Sequence, residues 1–290
     1  MKMIPKASVI ICTYNDEKYL SGCIRSILDN SFKNFELIIV NDASTDNTDQ
    51  IIKSFKDKRI RYYVNKKNMG SIGKTRNYAF SLAKGKYVLS TDSDCYVRKD
   101  WIEKMIVPFK EKDIVAVEGQ IIYVSESYKR TFSDVVVSNI IGNMFMAGNM
   151  AYRLDILKKE SFNPAYKAFE DRELGMRLKK YGRIFFEKRS IIYHQIKKMS
   201  IRTYLNLANR SESRVMLFKN INDRAFMSGR ILHLKQLIKL LIPPLVLGSL
   251  FRNRFESWED YKLIPFIYVK IVYMRYIIWK TAIKYGVFVI

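Results

Sequence analysis

The chain has 290 residues, with 51 Lys and Arg against 28 Asp and Glu and a formal net charge of +23. Hydrophobic residues make up 48% and aromatics 13%, which supplies a real core and excludes a disordered chain. Three cysteines (Cys12, Cys23, Cys95) with no CxxC pair argue against a disulfide framework and against a Cys-based zinc site.

The first 110 residues alternate two periodicities. Short β-branched runs at Ala7–Cys12, Phe35–Val40, Arg59–Val64 and Lys86–Ser90 predict buried strands. Between and after them, Glu17–Asn30, Asp46–Phe55, Ile72–Ala83 and Asp100–Phe109 carry helical spacing, with Ser44 and Thr45 as capping residues and Gly85 as a stop. Such alternation gives a parallel sheet covered on both faces, with ligands at the carboxyl ends of the strands. Farther along, Ile114–Val124 reads as one or two strands and Ala151–Lys159 and Glu170–Tyr181 as helices. Arg183–Glu187 and Ser190–His194 read as two further strands. Beyond residue 200 the pattern is helical, basic and aromatic, which predicts a boundary between domains 1–200 and 201–290.

Polar residues follow three of the strands: Thr13-Tyr14-Asn15-Asp16, Asn41-Asp42-Ala43-Ser44-Thr45-Asp46 and Thr91-Asp92-Ser93-Asp94. The last is a D-x-D, whose two carboxylates can gather around one hard cation that bridges phosphates, although acids at a strand end are also ordinary turn formers. Asn68 to Asn77 (N-M-G-S-I-G-K-T-R-N) opens a helix with two glycines, Lys74 and Arg76, which suits phosphate but also describes a glycine-rich turn. Ala168 to Gly175 places Glu170 and Asp171 at a helix start, where the dipole is expected to keep a carboxylate ionised, as a general base requires. Acids in a first helical turn are favoured without any catalytic role as well.

Taken in order, these segments resemble the inverting family 2 glycosyltransferases of the GT-A fold. The resemblance covers about residues 7–195 and rests on A-S-V-I-I-C-T-Y-N, L-I-I-V-N-D-A-S-T-D-N-T, N-M-G-S-I-G-K-T-R-N, D-S-D at 92–94, A-G-N-M-A-Y-R at 147–153 and F-E-D-R-E-L-G-M-R-L at 169–178. It implies an α/β fold: a GT-A (nucleotide-diphospho-sugar transferase) mostly parallel sheet flanked by helices, with a helical C-terminal extension. It further implies that Thr13, Tyr14 and Asp42 hold the nucleotide base, and that Asn68, Lys74 and Arg76 contact the nucleoside or diphosphate. Asp92 and Ser93 would face the ribose or donor sugar, and Asp94 with Asp92 would bind Mn²⁺ or Mg²⁺. Asp171 would be the base, oriented by Glu170, and Gly148, Asn149 and Met150 would line the acceptor side. His194, after a strand, is either a further metal or diphosphate ligand or a structural histidine.

Three departures accompany the resemblance. Cys12 stands where Pro is common, Cys95 stands where a further acid is common, and no Q-x-x-R-W follows Glu170-Asp171. The last argues for single or few sugar additions rather than processive synthesis. The implied activity is metal-dependent, inverting transfer from a UDP-linked sugar to a lipid-linked or cell-envelope glycan. A catalytically silent GT-A scaffold is the competing reading.

The charge adds a partner. Residues 183–290 hold 20 basic and 6 acidic side chains, a surplus of 14, and nucleic acid, membrane and phosphate-bearing substrates all suit such a surplus. No helix-turn-helix, RRM or zinc-finger pattern supports nucleic acid, and the acids of the D-x-D and of Glu170-Asp171 would repel it. Ile231–Phe251 and Leu263–Val289 mix aromatics and aliphatics with Lys and Arg, as interfacial helices do; a helical subdomain or dimer surface is the alternative. With neither an apolar leader segment nor a run of ~18 uncharged apolar residues, the sequence predicts a cytoplasmic protein attached peripherally to an anionic membrane face.

Overall fold

The computed structural model describes residues 4–124, 139–197, 200–225, 227–245 and 264–290. They divide into two compact units. The first contains the described residues of 4–124, 139–165 and 170–195; the second contains 166–169 and the described residues from 196 onward.

The first unit is an eight-stranded sheet built from β1 (Ala7–Thr13), β2 (Phe35–Asn41), β3 (Ile60–Val64), β4 (Tyr87–Asp92), β5 (Cys95–Val97), β6 (Ile114–Val124), β7 (Asn149–Arg153) and β8 (Arg183–Gln195). Their order is β3-β2-β1-β4-β7-β6-β8-β5. The pairs β3·β2, β2·β1, β1·β4 and β6·β8 are parallel, and β7 and β5 add antiparallel pairings. The strands are apolar on both faces because helices cover both. Val9, Ile11, Leu37, Ile39 and Leu89 point into one core with α1 (Glu17–Leu28), α2 (Thr48–Ser54) and α4 (Trp101–Ile106). Ile10, Ile38, Val40 and Val88 point into the other with α3 (Ile72–Ser81), α5 (Leu154–Leu157) and α6 (Glu170–Leu178). Each fully buried aliphatic side chain contributes about 1.5–3 kcal/mol, so the sheet is a rigid platform for the groups at its carboxyl rim.

Several elements differ from their sequence pattern. The stretch expected to be a helix over 151–159 begins as the end of β7 and turns helical only in the single turn α5. Pairing on both sides, with β4 and with β6, outweighs its helical-looking spacing. The two strands expected between 183 and 194 are one continuous strand, β8, whose register against β6 shifts between Gly119 and Gln120. β5 is three residues long, too short for a periodicity to register.

The second unit contains α7 (Ile201–Asn206), α8 (Arg210–Ile221), a hairpin of β9 (Met227–Ser228) and β10 (Ile231–Leu232), α9 (Leu234–Leu241) and α10 (Ile264–Tyr285). The Ser200 hydroxyl caps α7 by accepting from Thr203 N at 3.1 Å, and Asn222 ends α8 in the left-handed region at φ 51°. Val215, Leu232, Met274, Ile277, Ile278, Ala282 and Val289 form its core. The helix expected over 231–251 begins only after β10, and 246–251 lies outside the described residues. Among the described residues no helix is long and apolar enough to cross a membrane.

Candidate active site

Three parallel strands end side by side, and the groups after them make one rim. Register places Thr13 opposite Asn41, and Cys12 opposite both Val40 and Asp92. Asp42 is buried; its carboxylate accepts from Asn65 Nδ2 at 2.6 Å and from Met69 N at 3.1 Å. Asn68 closes the same corner by donating to Asp42 O at 3.2 Å and accepting from Gly70 N at 2.7 Å. Ala43, the next residue, is held at φ 62°, a left-handed conformation rare for alanine, and Ser44 N donates to Asn41 Oδ1 at 2.8 Å. Tyr14 is 48% exposed, a ring open for stacking, whereas Thr13 is buried with its hydroxyl unpartnered. Lys74 is exposed on the first turn of α3.

The D-x-D lies where β4 turns into β5. Ser93 does not face outward from it: its hydroxyl donates to the Asp16 carboxylate and ties the β4 turn to the start of α1. The pairing of β5 with β8 puts Cys95 opposite His194, which brings a residue one hundred positions downstream to the two acids. His194 Nε2 lies 3.5 Å from Asp94 Oδ1 and 3.9 Å from Asp92 Oδ2. Its Nδ1 sits 2.9 Å from Gln195 O, a carbonyl that can only accept, so Nδ1 donates there and Nε2 is the nitrogen turned to the two acids. Tyr123 stacks on the imidazole at 4.6 Å and fixes the ring plane. One donor atom from each of Asp92, Asp94, Cys95 and His194 falls within 4.8 Å of every other, a mixed O, N and S set that fits a divalent ion.

Arg76 links this group to α6. Its guanidinium donates to Asp92 Oδ1 and to Glu170 Oε1, both at 2.9 Å, and lies over the Phe162 ring at 5.6 Å. Burial works against its charge, but Asp92, Glu170 and Asp171 more than offset that and hold it firmly protonated. Asn77, one residue on, clamps Phe162 by donating to its carbonyl at 2.8 Å and accepting from its N–H at 2.9 Å. Arg76, the residue expected to contact a diphosphate, therefore has its Nη1 and Nη2 paired with two carboxylates.

Asp171 also departs from expectation. The helix dipole was expected to keep it ionised. Instead burial, then repulsion from Glu170, pushes its carboxyl up to about 7, against the opposing pull of Arg76 and of two backbone donors. Those donors are Arg172 N at 2.7 Å and Ala147 N at 3.2 Å.

Ala147 opens the A-G-N-M-A-Y-R motif, but sequence reasoning missed the acid that anchors the loop leading into it. Glu118, on β6 and 1% exposed, accepts from three successive backbone N–H groups, those of Asn143 at 2.7 Å, Met144 at 2.9 Å and Phe145 at 2.5 Å. Asn139 Nδ2 adds a fourth bond at 2.8 Å. The loop then passes so close to the D-x-D that a Cβ on Gly148 would lie 2.7 Å from Asp92 Oδ2, which is why glycine stands there. Asn149, expected on the acceptor side, is instead fully buried. It accepts from Trp101 Nε1 at 2.8 Å and donates to Gln120 O and Ser190 O at 2.9 and 3.1 Å, so its amide is consumed in joining three elements. Met150 is likewise buried in the core.

Comparison with known proteins agrees with this geometry. The profile of Glycosyl transferase family 2 matches residues 8–154. Glycosyltransferase GlyG of Streptococcus pneumoniae is 37% identical over 122 residues, which are 41% of this chain and 40% of GlyG. Poly(ribitol-phosphate) beta-N-acetylglucosaminyltransferase TarS of Staphylococcus aureus is 31% identical over 183 residues, 59% of this chain and 32% of TarS. The matched stretch is therefore less than half the length of these curated relatives. The crystal structure of TarS 1–349 with UDP-GlcNAc superposes at a TM-score of 0.57 with 21% identity, covering 97% of this chain and 92% of that one. The mannosyltransferase PcManGT of Pyrobaculum calidifontis, solved with GDP-Man and Mn²⁺, gives 0.62 at 16% identity, covering 97% and 88%. These likenesses fix the fold as GT-A, and the profile match spans half the chain, including β1, β2, β4 and the D-x-D. The chain belongs to glycosyl transferase family 2.

Proposed function

We propose that this chain moves a sugar from a nucleoside-diphosphate donor, most simply a UDP-sugar, onto a hydroxyl of a lipid-linked or cell-envelope glycan, with inversion and without processive elongation. One observation carries the reading: a single buried arginine joins the D-x-D to the helix start that presents Asp171, so donor-side and acceptor-side acids form one unit. TarS and its UDP-GlcNAc complex supply the precedent for the donor class. The curled rim with Tyr14, Asp42 and Asn68 takes the nucleoside.

In this proposal Asp171, ionised, takes the proton from the attacking hydroxyl while the diphosphate leaves from the opposite face of the anomeric carbon. Glu170 holds Arg76, and Arg76 in turn holds Asp92 at the donor side. Asp94, Asp92 and His194 Nε2 would hold Mn²⁺ or Mg²⁺, which when bound neutralises negative charge gathering on the leaving diphosphate. Gly148 leaves room beside Asp92 for the sugar. The chain divides functionally into a GT-A catalytic domain of residues 1–200 and a basic helical region of 201–290 that attaches to an anionic membrane surface. No nucleic-acid partner is proposed.

The test is turnover of UDP-sugars with Mn²⁺ in the wild type and in Asp171→Asn. Loss of a general base costs about 10²–10⁴-fold, with nucleotide binding retained. Equal rates in the two proteins would remove Asp171 from the role, and no turnover alongside intact UDP binding would favour the scaffold reading.

A further inference from the structure

The group around the D-x-D has a fourth member, a sulfur, with no part in the function proposed above. Asp92 ends β4, Ser93 and Asp94 make the turn, and Cys95 opens β5. Cys95 lies directly opposite His194 in an antiparallel pairing, and such partners put their side chains on the same face of a sheet. The pairing therefore brings a thiol and an imidazole to the same two carboxylates. Bonds of about 2.0–2.3 Å put two ligand atoms of one ion roughly 3–4.5 Å apart. His194 Nε2 to Asp94 Oδ1 at 3.5 Å, His194 Nε2 to Asp92 Oδ2 at 3.9 Å and Cys95 Sγ to Asp94 Oδ1 at 3.9 Å all fall in that range.

The four side chains differ in depth. Those of Asp92, Asp94 and His194 are 33%, 10% and 18% exposed, whereas Cys95 is fully buried. Water can complete an ion's coordination on the open side, and at the buried end the group supplies a sulfur. A second buried thiol stands close by without joining in: Cys23 donates to the main-chain carbonyl of Asp92 at 3.4 Å. A buried cysteine is often no more than a small apolar side chain, and Cys23 fits that description. Cys95 packs into the same core, but its sulfur lies within 4.8 Å of one donor atom from each of Asp92, Asp94 and His194.

We propose that Cys95 is a ligand of the ion held here and makes the site one for thiophilic transition metals instead of Mg²⁺. This rests on the reading of Asp92, Asp94 and His194 as metal ligands and narrows which ion they take. Mg²⁺ demands near-ideal octahedral geometry, prefers oxygen and gives up water reluctantly, so a fixed sulfur and nitrogen serve it poorly. Zn²⁺ and Co²⁺ accept sulfur, nitrogen and oxygen together. Ligation breaks the S–H bond: its electron pair stays on sulfur and is shared with the metal, and the proton leaves to solvent.

The test is spectroscopic and needs no turnover. The reduced full chain is titrated with Co²⁺ under argon, with and without UDP, and binding is followed in parallel by calorimetry. A thiolate bound to Co²⁺ gives an intense near-ultraviolet charge-transfer band that oxygen and nitrogen ligands do not give. The wild type should show this band, saturating at one ion per chain. Cys95→Ser should bind Co²⁺ without the band, and Cys23→Ser should keep it. In calorimetric competition the preference for Cd²⁺ over Mg²⁺ should fall about tenfold or more in Cys95→Ser, a loss that even outer-shell ligand partners cause. Cys95→Asp puts a hard oxygen at the same place, should also lose the band, and serves if Cys95→Ser does not fold. Co²⁺ binding without the band in the wild type, or a band that survives in Cys95→Ser or Cys95→Asp, would overturn the sulfur ligand while leaving the acids and His194 as a metal site. No Co²⁺ binding in either titration would overturn both.

Discussion

At the scale of single residues, Asp171 and Glu170 decide the pH behaviour. A carboxyl raised to about 7 is largely protonated below that pH and cannot accept a proton, so turnover should climb as pH rises through about 7. Replacing Glu170 by Gln removes the repelling charge and frees Arg76 from one of its two partners, and both changes favour the ionised form of Asp171. The acidic limb of the pH–rate profile should then move to lower pH, whereas Arg76→Met should move it higher. An acidic limb that stays in place in both variants would mean that another group governs it. The acids themselves were legible in the sequence because a pair at a helix start is a local pattern. The raised affinity of Asp171 for a proton was not, because it comes first from burial, which no local pattern records. The same holds for Asn149: its identity stood out, but its three partners lie on segments 29 to 48 residues away.

At the scale of elements, the strand ends were legible and the loop beside them was not. Runs such as F-E-L-I-I-V announce buried strands by composition alone, and parallel order follows from the helices between them. Glu118 gives no comparable signal. It is a lone acid in the run I-V-A-V-E-G, and the N–H groups it gathers lie 25 to 27 residues later. Its carboxylate nonetheless shapes the segment from Gly142, at φ 80°, through Asn143 and Phe145, both at positive φ, to the Ala147 N–H that meets Asp171. Glu118→Ala strands three backbone donors, each costing about 1–3 kcal/mol when left buried and unpaired. It should lower Tm by several degrees and reduce turnover at least tenfold, with UDP affinity preserved because the nucleotide corner is elsewhere on the rim. Glu118→Gln retains an accepting oxygen and should fall between the two. Equal stability of Glu118→Ala and wild type would show that the loop holds its shape without the carboxylate.

At the scale of the whole molecule, the charge falls into separate places. Arg76 is enclosed by acids at the sheet rim, and Arg275 is buried in the second unit, where its Nη2 donates to Leu232 O. Much of the remaining excess lies on the surface of the C-terminal helices, where it accompanies apolar groups. On α10, Val269, Val272, Tyr273, Tyr276, Trp279 and Ile283 are exposed at spacings of one to four residues, with Lys280 and Lys284 among them. Leu241, Ile242 and Leu245 are exposed at the end of α9, close in sequence to Lys235 and Lys239. Aromatic rings at headgroup depth with basic stems reaching the phosphates describe an interfacial surface, and each Lys or Arg near an anionic leaflet contributes about 1 kcal/mol. Flotation should therefore recover the protein with vesicles containing phosphatidylglycerol and not with pure phosphatidylcholine. Raising the salt should release it, since the Debye length falls from about 10 Å at 0.1 M to about 3 Å at 1 M. Trp279→Ala combined with Lys280→Gln should weaken this binding while leaving UDP binding intact. Failure to float with either vesicle at low salt would assign the exposed stripe of α10 to a protein partner instead of a membrane.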